Sequence, residues 1–392
     1  MDKISMKKNI LWIYNRPLNP EVGGTERITH LISEGLKERG YNTFGILQLF
    51  KDSGSIIYQG EEIPDLYTFL QKHQIDIIIN QIGYDDWLLK KFLEKGGDKW
   101  KKEGGKIITC LHFDPKPTSD YYLFKSQLIK NFQSHINLLK SLLLYPYYKK
   151  RQERKLGHIY NFLYDSSDAF VTLSKTHFPY FKKLTKRSEY IKLHAINNPL
   201  TFPDISRETD LSSKKKQILV CSRMTEYQKR ISIVLKVWKR LYKKEVAKDW
   251  ELIIVGDGPD LDFYKSFSKK HQLKRIHFEG QQSPEKYYNE ASIFLMTSVG
   301  IEGWGLTITE SLQRGVVPIV MNTASVYSEI INTNYNGILT KKKSLTSFTN
   351  AIYYLVTNKT ILKQMQLNAL NSSNKFRGEI ILNKWELLLK DI

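Results

Sequence analysis

The sequence contains little cysteine and no long apolar run. Its only two cysteines, Cys110 and Cys221, each lie inside a short apolar run typical of a strand. Neither has neighbours at metal-binding spacing, so we expect buried thiols and no metal site around them. The first apolar run, residues 10–14, is far shorter than a signal-peptide core, and no run approaches the length of a membrane span. We therefore expect a protein that is neither exported nor membrane-spanning.

The sequence also lacks low-complexity tracts and short-period repeats. Its 392 residues are 41% hydrophobic and 26% charged, which is close to the average of globular proteins. A chain of this length exceeds the size at which one hydrophobic core stops growing. The composition therefore predicts a fully folded chain of two domains.

Acidic residues are too few to balance the basic ones, and the formal net charge is +20. Residues 1–100 are nearly balanced, with 13 basic against 14 acidic side chains, whereas residues 101–200 carry 18 against 7. A field of this size attracts anionic lipid, lipid-linked phosphate or nucleic acid, and the charge alone does not choose among them.

Short apolar runs alternate with amphipathic stretches along most of the chain, which is typical of parallel α/β structure. A Pro-bearing polar stretch at residues 201–213 separates two such series and predicts a linker. We expect an N-terminal domain over 1–200, a C-terminal domain over 214–376, and a helix at 377–392 that crosses back to the first domain. The predicted strands are 10–14, 41–48, 75–80, 106–112, 168–174 and 190–196, then 217–223, 251–255, 275–278, 292–298 and 316–321.

The stretch from Ser298 to Glu310 reads SVGIEGWGLTITE and lies between a predicted strand and a predicted helix. Gly303 and Gly305 free the backbone at the helix start, where amide N–H groups and the helix dipole favour phosphate. Glu302 and Glu310 supply carboxylates suited to sugar and ribose hydroxyls. Ordinary helix capping explains this string equally well when it is taken alone.

Two basic residues strengthen the phosphate interpretation. Arg223 and Lys229 follow the first predicted strand of the second domain, so both should lie at the carboxyl end of a parallel sheet, where such sheets bind ligands. Two cations there could neutralise a diphosphate and stabilise the charge of a departing nucleoside diphosphate without a metal. Taken singly, each could also be a solvated base among the 60 of the chain.

The ordered set of motifs resembles the family-four glycosyltransferases of GT-B fold over about residues 8–340. The resemblance implies an α/β fold of two facing, doubly wound Rossmann-like domains with a cleft between them, and transfer with retention of anomeric configuration. The motifs that carry it are Gly23-Gly24-Thr25-Glu26, Arg223-x5-Lys229, Gly256-Asp257-Gly258-Pro259, Phe278-x-Gly280 and Glu302-x7-Glu310 within an E-G-W-G-L frame.

The resemblance assigns roles to individual residues. Glu310 would bind the donor ribose, Glu302 the hydroxyls of the transferred sugar, and Arg223 and Lys229 the diphosphate. The remaining donor contacts would come from the backbone of Gly303, Trp304, Gly305, Leu306 and Thr307. Trp304 stands where the family usually has Phe, and Ser311-Leu312-Gln313-Arg314 replaces small apolar residues, which puts the packing of that helix in doubt.

Two features of the first domain point to ligand contacts. Gly23 and Gly24 lie between the first strand and the first helix, and in the family such a pair faces the donor diphosphate, although a plain turn is an alternative. His112 directly follows a strand, at the carboxyl end where such sheets bind ligands. A lone histidine is more often structural, but the resemblance favours a contact of His112 with the sugar or the acceptor.

Two acidic pairs are weaker candidates. Asp260 and Asp262 match a D-x-D metal motif but are better explained as acidic residues in the first turn of a helix. Asp85-Asp86 is equally well explained as the start of a helix. We therefore expect no metal site and no cofactor beyond a nucleoside-diphosphate sugar as co-substrate.

Residues 121–164 mix Tyr, Phe and Leu with bases, a composition suited to a membrane interface with anionic lipid. A solvated basic helix pair with a buried aromatic face is the alternative. With the membrane interpretation, we expect a cytoplasmic protein at the inner face of the cytoplasmic membrane that meets a lipid-linked glycan acceptor.

These observations favour a metal-independent, retaining hexosyltransferase of bacterial surface polysaccharide or lipopolysaccharide biosynthesis. An epimerase or phosphorylase on the same architecture is a second enzyme class, but no separate acid/base cluster or cofactor-lysine motif supports it. A non-catalytic GT-B-like protein or a basic polyanion-binding or nucleic-acid-binding protein is the alternative from another class.

Overall fold

The computed structural model describes residues 7–17, 19–21, 23–116, 132–203, 211–299, 302–341 and 344–392, with the side chains of the fourth range described from residue 144 onward. Within these ranges the chain divides into two compact units. The first takes in Met1–Pro117, Tyr147–Thr201 and Arg377–Ile392, and the second takes in Phe202–Phe376. Helical residues 132–146 are grouped with the second unit, which differs from the expected domain boundary at residue 200.

An eight-stranded sheet forms the centre of the first unit, in the order β4-β3-β2-β1-β5-β6-β7-β8. All neighbours are parallel except at one edge, where β3 pairs antiparallel with β2 and with β4. The central strands are apolar and buried because helices cover both faces of such sheets. Its strands are β1 (Asn9–Tyr14), β2 (Asn42–Leu49), β3 (Ile56–Tyr58), β4 (Glu61–Glu62), β5 (Ile77–Asn80), β6 (Lys106–Leu111), β7 (Ala169–Thr172) and β8 (Leu193–Ala195).

The second unit contains a six-stranded, fully parallel sheet in the order β11-β10-β9-β12-β13-β14. Numbered from its own first strand, this is the 3-2-1-4-5-6 order of a dinucleotide-binding fold. Its strands are β9 (Gln217–Cys221), β10 (Glu251–Val255), β11 (Ile276–Gly280), β12 (Ile293–Met296), β13 (Val317–Met321) and β14 (Ile338–Thr340). Every strand predicted from sequence is present in the two sheets, whereas β3, β4 and β14 are additional.

Helices connect the strands and cover the sheets. In the first unit and at its boundary they are α1 (Gly24–Glu38), α2 (Leu66–Lys72), α3 (Trp87–Phe92), α4 (Asp98–Lys102), α5 (Phe132–Ser166) and α6 (Phe178–Thr185). In the second unit they are α7 (Glu226–Lys229), α8 (Ile231–Leu241), α9 (Leu261–Lys270), α10 (Glu285–Glu290), α11 (Leu306–Gln313), α12 (Tyr327–Ile330), α13 (Leu345–Thr357) and α14 (Lys359–Ser373). The last helix, α15 (Gly378–Asp391), belongs to the first unit again.

Helix α15 packs its apolar stripe on the first unit. Trp385 meets Trp12 of β1 edge to face, with the ring centroids 6.3 Å apart. Leu382 fills the space beside Gly35 of α1, where a Cβ atom would lie 2.5 Å from a Leu382 methyl carbon. Arg39 forms an ion pair with Glu386 at 2.6 Å. The helix is therefore an integral part of the first unit's core.

The two cysteines lie in strands, as expected from sequence. Cys110 is buried in β6, and burial raises the pKa of its thiol. Cys221, at the carboxyl end of β9, is only half-buried. Cys221 therefore departs from the expectation of a fully buried thiol.

The loop after β10 packs tightly against the loop after β9. Gly256, with φ +126, has its Cα so close to Ser222 that a Cβ atom would lie 2.0 Å from the Ser222 carbonyl oxygen. Gly258, with φ +154, similarly leaves room for the backbone of Met224. Backbone hydrogen bonds join Met224 to Asp257 and to Asp260, at 2.8 and 3.0 Å. The two glycines therefore permit the close contact that fixes the loop carrying Arg223.

We predict that Gly256→Ala lowers the free energy of unfolding by more than about 2 kcal/mol, because the new methyl group adds a backbone clash to an unfavourable φ. Gly280→Ala is the matched control, since Gly280 also has a positive φ, +68, but nothing lies within 4 Å of its would-be Cβ. Its cost should be about 1 kcal/mol. Urea denaturation midpoints measure both, and equal costs would contradict the steric argument.

Candidate functional site

The second unit has one topological switch point, between β9 and β12, where the chain stops adding strands on one side of β9 and begins on the other. In open parallel sheets, ligands bind outside the carboxyl ends of the strands at such a point, because the diverging connections leave a crevice. The segments that follow β9 and β12 therefore form the first candidate site, and we call it the second-unit site.

Short polar contacts tie these two segments together. The Thr297 hydroxyl, just after β12, donates to the Lys229 carbonyl oxygen at 2.7 Å and lies 3.1 Å from the Arg230 carbonyl oxygen. The Val299 N–H donates to the Gln228 carbonyl at 2.8 Å. The backbone of Lys229 is thus held in place by contacts of its own carbonyl group and those of its neighbours with the segment after β12.

Lys229 and Glu302, which the sequence assigned to different parts of a donor, form an ion pair with each other. Both side chains are 23% exposed, so the pair lies at the surface of the crevice where a ligand could reach it. A diphosphate would compete with Glu302 for the ammonium group, and a sugar hydroxyl could donate to the carboxylate. The sequence motif did not predict this pairing.

Arg223 is exposed at the carboxyl end of β9, while its neighbour Met224 is buried. Its carbonyl accepts the Thr225 N–H at 2.9 Å, so the backbone forms a tight turn there. In the described part of the chain its guanidinium makes no ion pair or hydrogen bond. The turn therefore presents an uncompensated positive charge close in sequence to Lys229.

Helix α11 starts at the same strand ends. Gly305 adopts a left-handed conformation, φ +97, immediately before Leu306, and as in any helix the first amide N–H groups have no intrahelical partner. Gly303 precedes this turn, and Leu306 and Thr307 are half-buried. The start of α11 therefore has the amide donors and the dipole that favour an anion.

Trp304 does not present its side chain to a ligand. It is 2% exposed and meets Phe376 edge to face, with the ring centroids 5.1 Å apart. Any contribution of Trp304 to a donor site is therefore restricted to its backbone, as the resemblance to the family implied.

Glu310 lies in the middle of α11 and is 2% exposed. Its carboxylate interacts with the hydroxyl of Tyr288, which also lies 3.3 Å from the Thr307 carbonyl oxygen and interacts with Cys221. Burial, first of all, and then Cys221 and Glu310 raise the pKa of Tyr288, so its hydroxyl stays protonated and donates a hydrogen bond to the Thr307 carbonyl. Sequence reasoning missed Tyr288, because no motif includes it.

The polar end of α11 has a structural role. Gln313 hydrogen bonds with both backbone groups of Phe202, accepting from its N–H at 3.2 Å and donating to its carbonyl at 2.8 Å. Arg314, 1% exposed, forms an ion pair with Glu285 at 2.6 Å and stacks on the Phe202 ring. Both side chains thus have polar partners at the end of α11, although Nε of Arg314 is buried without a hydrogen-bond partner among the described residues.

The first unit also has a switch point, between β1 and β5, and its strand ends form the first-unit site. Gly23 precedes α1 there, and a Cβ atom on it would lie 2.3 Å from a Glu26 carboxylate oxygen. Glu26 is 3% exposed, with its Oε1 3.1 Å from Nε of Arg16. Arg16 Nε also donates to the Tyr14 hydroxyl at 3.2 Å. Gly23 therefore borders a buried carboxylate whose charge the half-exposed Arg16 balances.

His112 lies at the same edge, directly after β6. Its Nε2 is 2.6 Å from the side-chain amide of Gln81, which follows β5. Desolvation lowers the pKa of His112 to about 4, so the imidazole is neutral at pH 7. Gln81 was not a sequence candidate, although its position just after a predicted strand was a usable signal. The structure thus brings His112, Gln81 and the Gly23 turn to one sheet edge.

The weaker acidic candidates are local helix features. Asp260 accepts the N–H of Glu226 at 2.8 Å at the start of α9, and Asp262 lies in the first turn of that helix. Asp86 precedes α3 and forms an ion pair with Lys90 at 2.5 Å. In the ranges that the structure describes, no group of three or more His, Cys, Asp or Glu side chains could hold a metal ion.

Residues 201–372 match the family model described as Glycosyl transferases group 1. This part of the chain is a group 1 glycosyltransferase domain. It contains all the residues of the second-unit site, from Arg223 to Glu310. Among curated proteins, the amylovoran biosynthesis glycosyltransferase AmsD of Erwinia amylovora is 27% identical over 203 residues, which is 50% of this chain and 53% of AmsD. The chain thus spans about half the length of this relative.

Solved structures share the fold over nearly the whole chain. Anabaena HepE in complex with UDP and glucose has a TM-score of 0.67 at 15% identity, covering 98% of this chain and 100% of HepE. The lipopolysaccharide outer core galactosyltransferase WaaB has a TM-score of 0.65 at 15% identity, covering 96% and 98%. The predicted α/β fold with two Rossmann-like domains is therefore confirmed.

We predict that His112 makes the stability of the protein pH-dependent. Its pKa is about 4 in the folded chain and about 6.5 when unfolded, so the unfolded chain takes up a proton first as pH falls. The stability contribution is present above about pH 6.5 and is lost towards pH 4, by up to about 3 kcal/mol. Urea unfolding at pH 7, 5.5 and 4 should show a smaller loss for His112→Gln than for wild type. His30→Gln, at an exposed position of α1, is the control, and parallel losses in all three proteins would contradict the assignment.

Proposed function

We propose that this protein transfers a hexosyl group from a nucleoside-diphosphate sugar to a hydroxyl of a lipid-linked or lipopolysaccharide-type glycan, with retention and without a metal. The observation that carries the proposal is the second-unit site. There the exposed Arg223, the Lys229–Glu302 pair and the start of α11 meet at the switch point of a group 1 glycosyltransferase domain.

The charges of the second-unit site suit a nucleoside diphosphate. Arg223 and Lys229 would bind the phosphates together with the amide N–H groups at the start of α11. Once the phosphate attracts Lys229, Glu302 becomes free to accept hydrogen bonds from sugar hydroxyls, and Glu310, oriented by Tyr288, would accept from the ribose. The presence of UDP and glucose in HepE, which has the same fold, supports this type of donor.

The proposed reaction needs no protein nucleophile. The acceptor oxygen forms a bond to the anomeric carbon while the bond from that carbon to the diphosphate oxygen breaks, and the acceptor proton passes to the departing diphosphate on the same face. The main electrostatic task is to stabilise the negative charge that grows on the leaving group, which Arg223 and Lys229 can perform without a metal. His112 would contact the sugar or the acceptor.

Two relatives support a surface glycan as acceptor. AmsD is named an amylovoran biosynthesis glycosyltransferase, and WaaB, which has the same fold, a lipopolysaccharide outer core galactosyltransferase. The exposed side of α5 adds a second reason. Its Leu144, Tyr147 and Tyr148 are 45%, 63% and 47% exposed, and the basic residues from Lys149 to Arg154 follow at once. An anionic membrane surface that holds a lipid-linked glycan would suit both groups of side chains.

We first propose a thermal-shift screen of the full chain against UDP-, GDP- and other nucleotide sugars. A ligand that binds the native state raises its melting temperature, so one base should give a selective rise. A uniform lack of response would reject the donor assignment and favour a non-catalytic, polyanion-binding protein of this fold.

We predict that Arg223→Ala, Lys229→Ala and Glu310→Ala each lower the rate of donor turnover by at least about tenfold, or about 1.4 kcal/mol of transition-state stabilisation. Each removes a charge proposed to meet the nucleotide. The measurement is release of the nucleoside diphosphate from the donor identified by the screen. Lys236→Ala and Arg240→Ala, both at exposed positions on α8, remove positive charges away from the site and are the controls for Lys229→Ala and Arg223→Ala. Wild-type turnover in the three site variants would refute the assignment.

The membrane part of the proposal concerns residues 121–164, of which 121–131 lie outside the described residues. Helix α5 carries the rest, and none of the described helices is both long and apolar enough to cross a bilayer. The proposal is therefore peripheral attachment at the inner face of the cytoplasmic membrane, through the exposed aromatic and basic side chains of α5.

We predict that the protein floats with vesicles containing anionic lipid and does not float with purely zwitterionic ones. The double variant Tyr147→Ser/Tyr148→Ser should bind several-fold more weakly, because it removes the exposed rings of α5. The control is Tyr353→Ser/Tyr354→Ser, a pair of tyrosines on α13 that are 42% and 40% exposed. Flotation that is independent of anionic lipid, or equally reduced in both variants, would rule out this surface.

A further inference from the structure

Three polar side chains meet in the first-unit site around the amide of Gln81. One terminal atom of this amide lies 2.6 Å from Nε2 of His112 and 3.0 Å from Oγ1 of Thr29. Gln81 is 3% exposed and Thr29 is 2% exposed. The contacts therefore form away from bulk water, where the direction of each hydrogen bond has a large energetic effect.

The direction of the Thr29 bond follows from its second contact. Thr29 Oγ1 lies 2.8 Å from the carbonyl oxygen of Thr25, one turn earlier in α1. A carbonyl can only accept, and a hydroxyl has one hydrogen, so that hydrogen points to Thr25. Thr29 therefore offers a lone pair to Gln81.

The two ends of a glutamine amide have the same shape, and the hydrogen-bond network decides which end is oxygen. With oxygen towards Thr29 and His112, the NH₂ group is buried without an acceptor among the described residues. A buried donor without a partner costs about 1–3 kcal/mol. With the NH₂ group towards them, it has two hydrogens to donate, one each to the lone pairs of Thr29 Oγ1 and His112 Nε2. Only a carbonyl oxygen then lacks a partner, which proteins tolerate better.

This orientation determines the tautomer of His112. If Gln81 donates to Nε2, the nitrogen must carry a lone pair, and the one hydrogen of the neutral ring lies on Nδ1. Nδ1 has no hydrogen-bond partner in the described part of the chain and is not sealed from solvent. We propose that Gln81 is a positioning residue that holds the hydrogen of His112 on Nδ1, so that His112 meets its ligand as a hydrogen-bond donor.

The low pKa of His112 agrees with this role, because a ring that stays neutral keeps a single, fixed hydrogen at pH 7. The ligand atom that fits Nδ1–H is an oxygen with a free lone pair, such as a sugar hydroxyl, a ring oxygen or a phosphate oxygen. The nature of this ligand rests on the proposed function, whereas the tautomer does not. In this state His112 cannot act as a general base through Nδ1.

The test is a long-range ¹H–¹⁵N correlation spectrum of the uniformly ¹⁵N-labelled full chain at pH 7, in which protonated and unprotonated ring nitrogens have well-separated shifts. The His112 signals are assigned by their loss in His112→Gln. We expect the protonated-type shift on Nδ1 and the unprotonated-type shift on Nε2. A Nε2–H tautomer at half or more of the population, or a doubly protonated ring, would overturn the proposal.

The variant Gln81→Glu should reverse the tautomer of His112. A carboxylate can only accept, so it should draw the hydrogen to Nε2 and exchange the two nitrogen shifts. Gln59→Glu adds the same charge at an exposed turn of the same unit and should leave the His112 signals unchanged. Unchanged signals in Gln81→Glu, in a protein that melts within a few degrees of wild type, would also overturn the proposal.

The spectrum requires neither donor nor acceptor, so its outcome is separate from that of the proposed function. If no nucleotide sugar raises the melting temperature but the hydrogen is on Nδ1, the glycosyl-transfer proposal fails and the role of Gln81 stands. If a nucleotide sugar binds but the hydrogen is on Nε2, the role of Gln81 fails alone.

Discussion

In each unit the chain adds strands first on one side of a central strand and then on the other, and the site of each unit depends on this change of direction. Beside β1 and β9 the connections leave in opposite directions, so a crevice forms at the carboxyl ends of these strands and of their neighbours β5 and β12. Exposed strand ends leave main-chain groups that need partners, and short bonds such as Thr297 to Lys229 supply them. The functional side chains are positioned by the same bonds that complete the sheet edge.

Sequence periodicity was sufficient for the framework of the two sheets. Apolar runs bounded by turn residues identified the central strands, and the glycines around residue 305 marked the start of α11 correctly, because left-handed turns and buried strands restrict residue choice strongly. The short edge strands β3, β4 and β14 were missed, since two or three residues give no periodic signal. The roles proposed for the site residues stay predictions.

The sequence motifs did not predict contacts between residues that are distant in the sequence. Lys229 and Glu302 were each assigned to a ligand, and nothing in either motif indicated that they pair with each other. Tyr288 and Gln81 lie outside every motif, and their contacts with Glu310 and His112 depend on how neighbouring strands are ordered. The polar residues Gln313 and Arg314 looked unfavourable in a buried helix end, but Gln313 bonds with the backbone of Phe202 and Arg314 pairs with the carboxylate of Glu285.

The return of α15 to the first unit affects how the chain is made. Trp12 is synthesised early, but Trp385 follows only after the entire second unit. During translation on a ribosome, which proceeds at roughly 5–20 residues per second, the second unit can fold while the first still exposes the apolar surface around Trp12 and Gly35. A nascent first unit is thus exposed to chaperones and to aggregation for longer than its early place in the sequence suggests. Stalled or prematurely terminated chains would remain in this incomplete state.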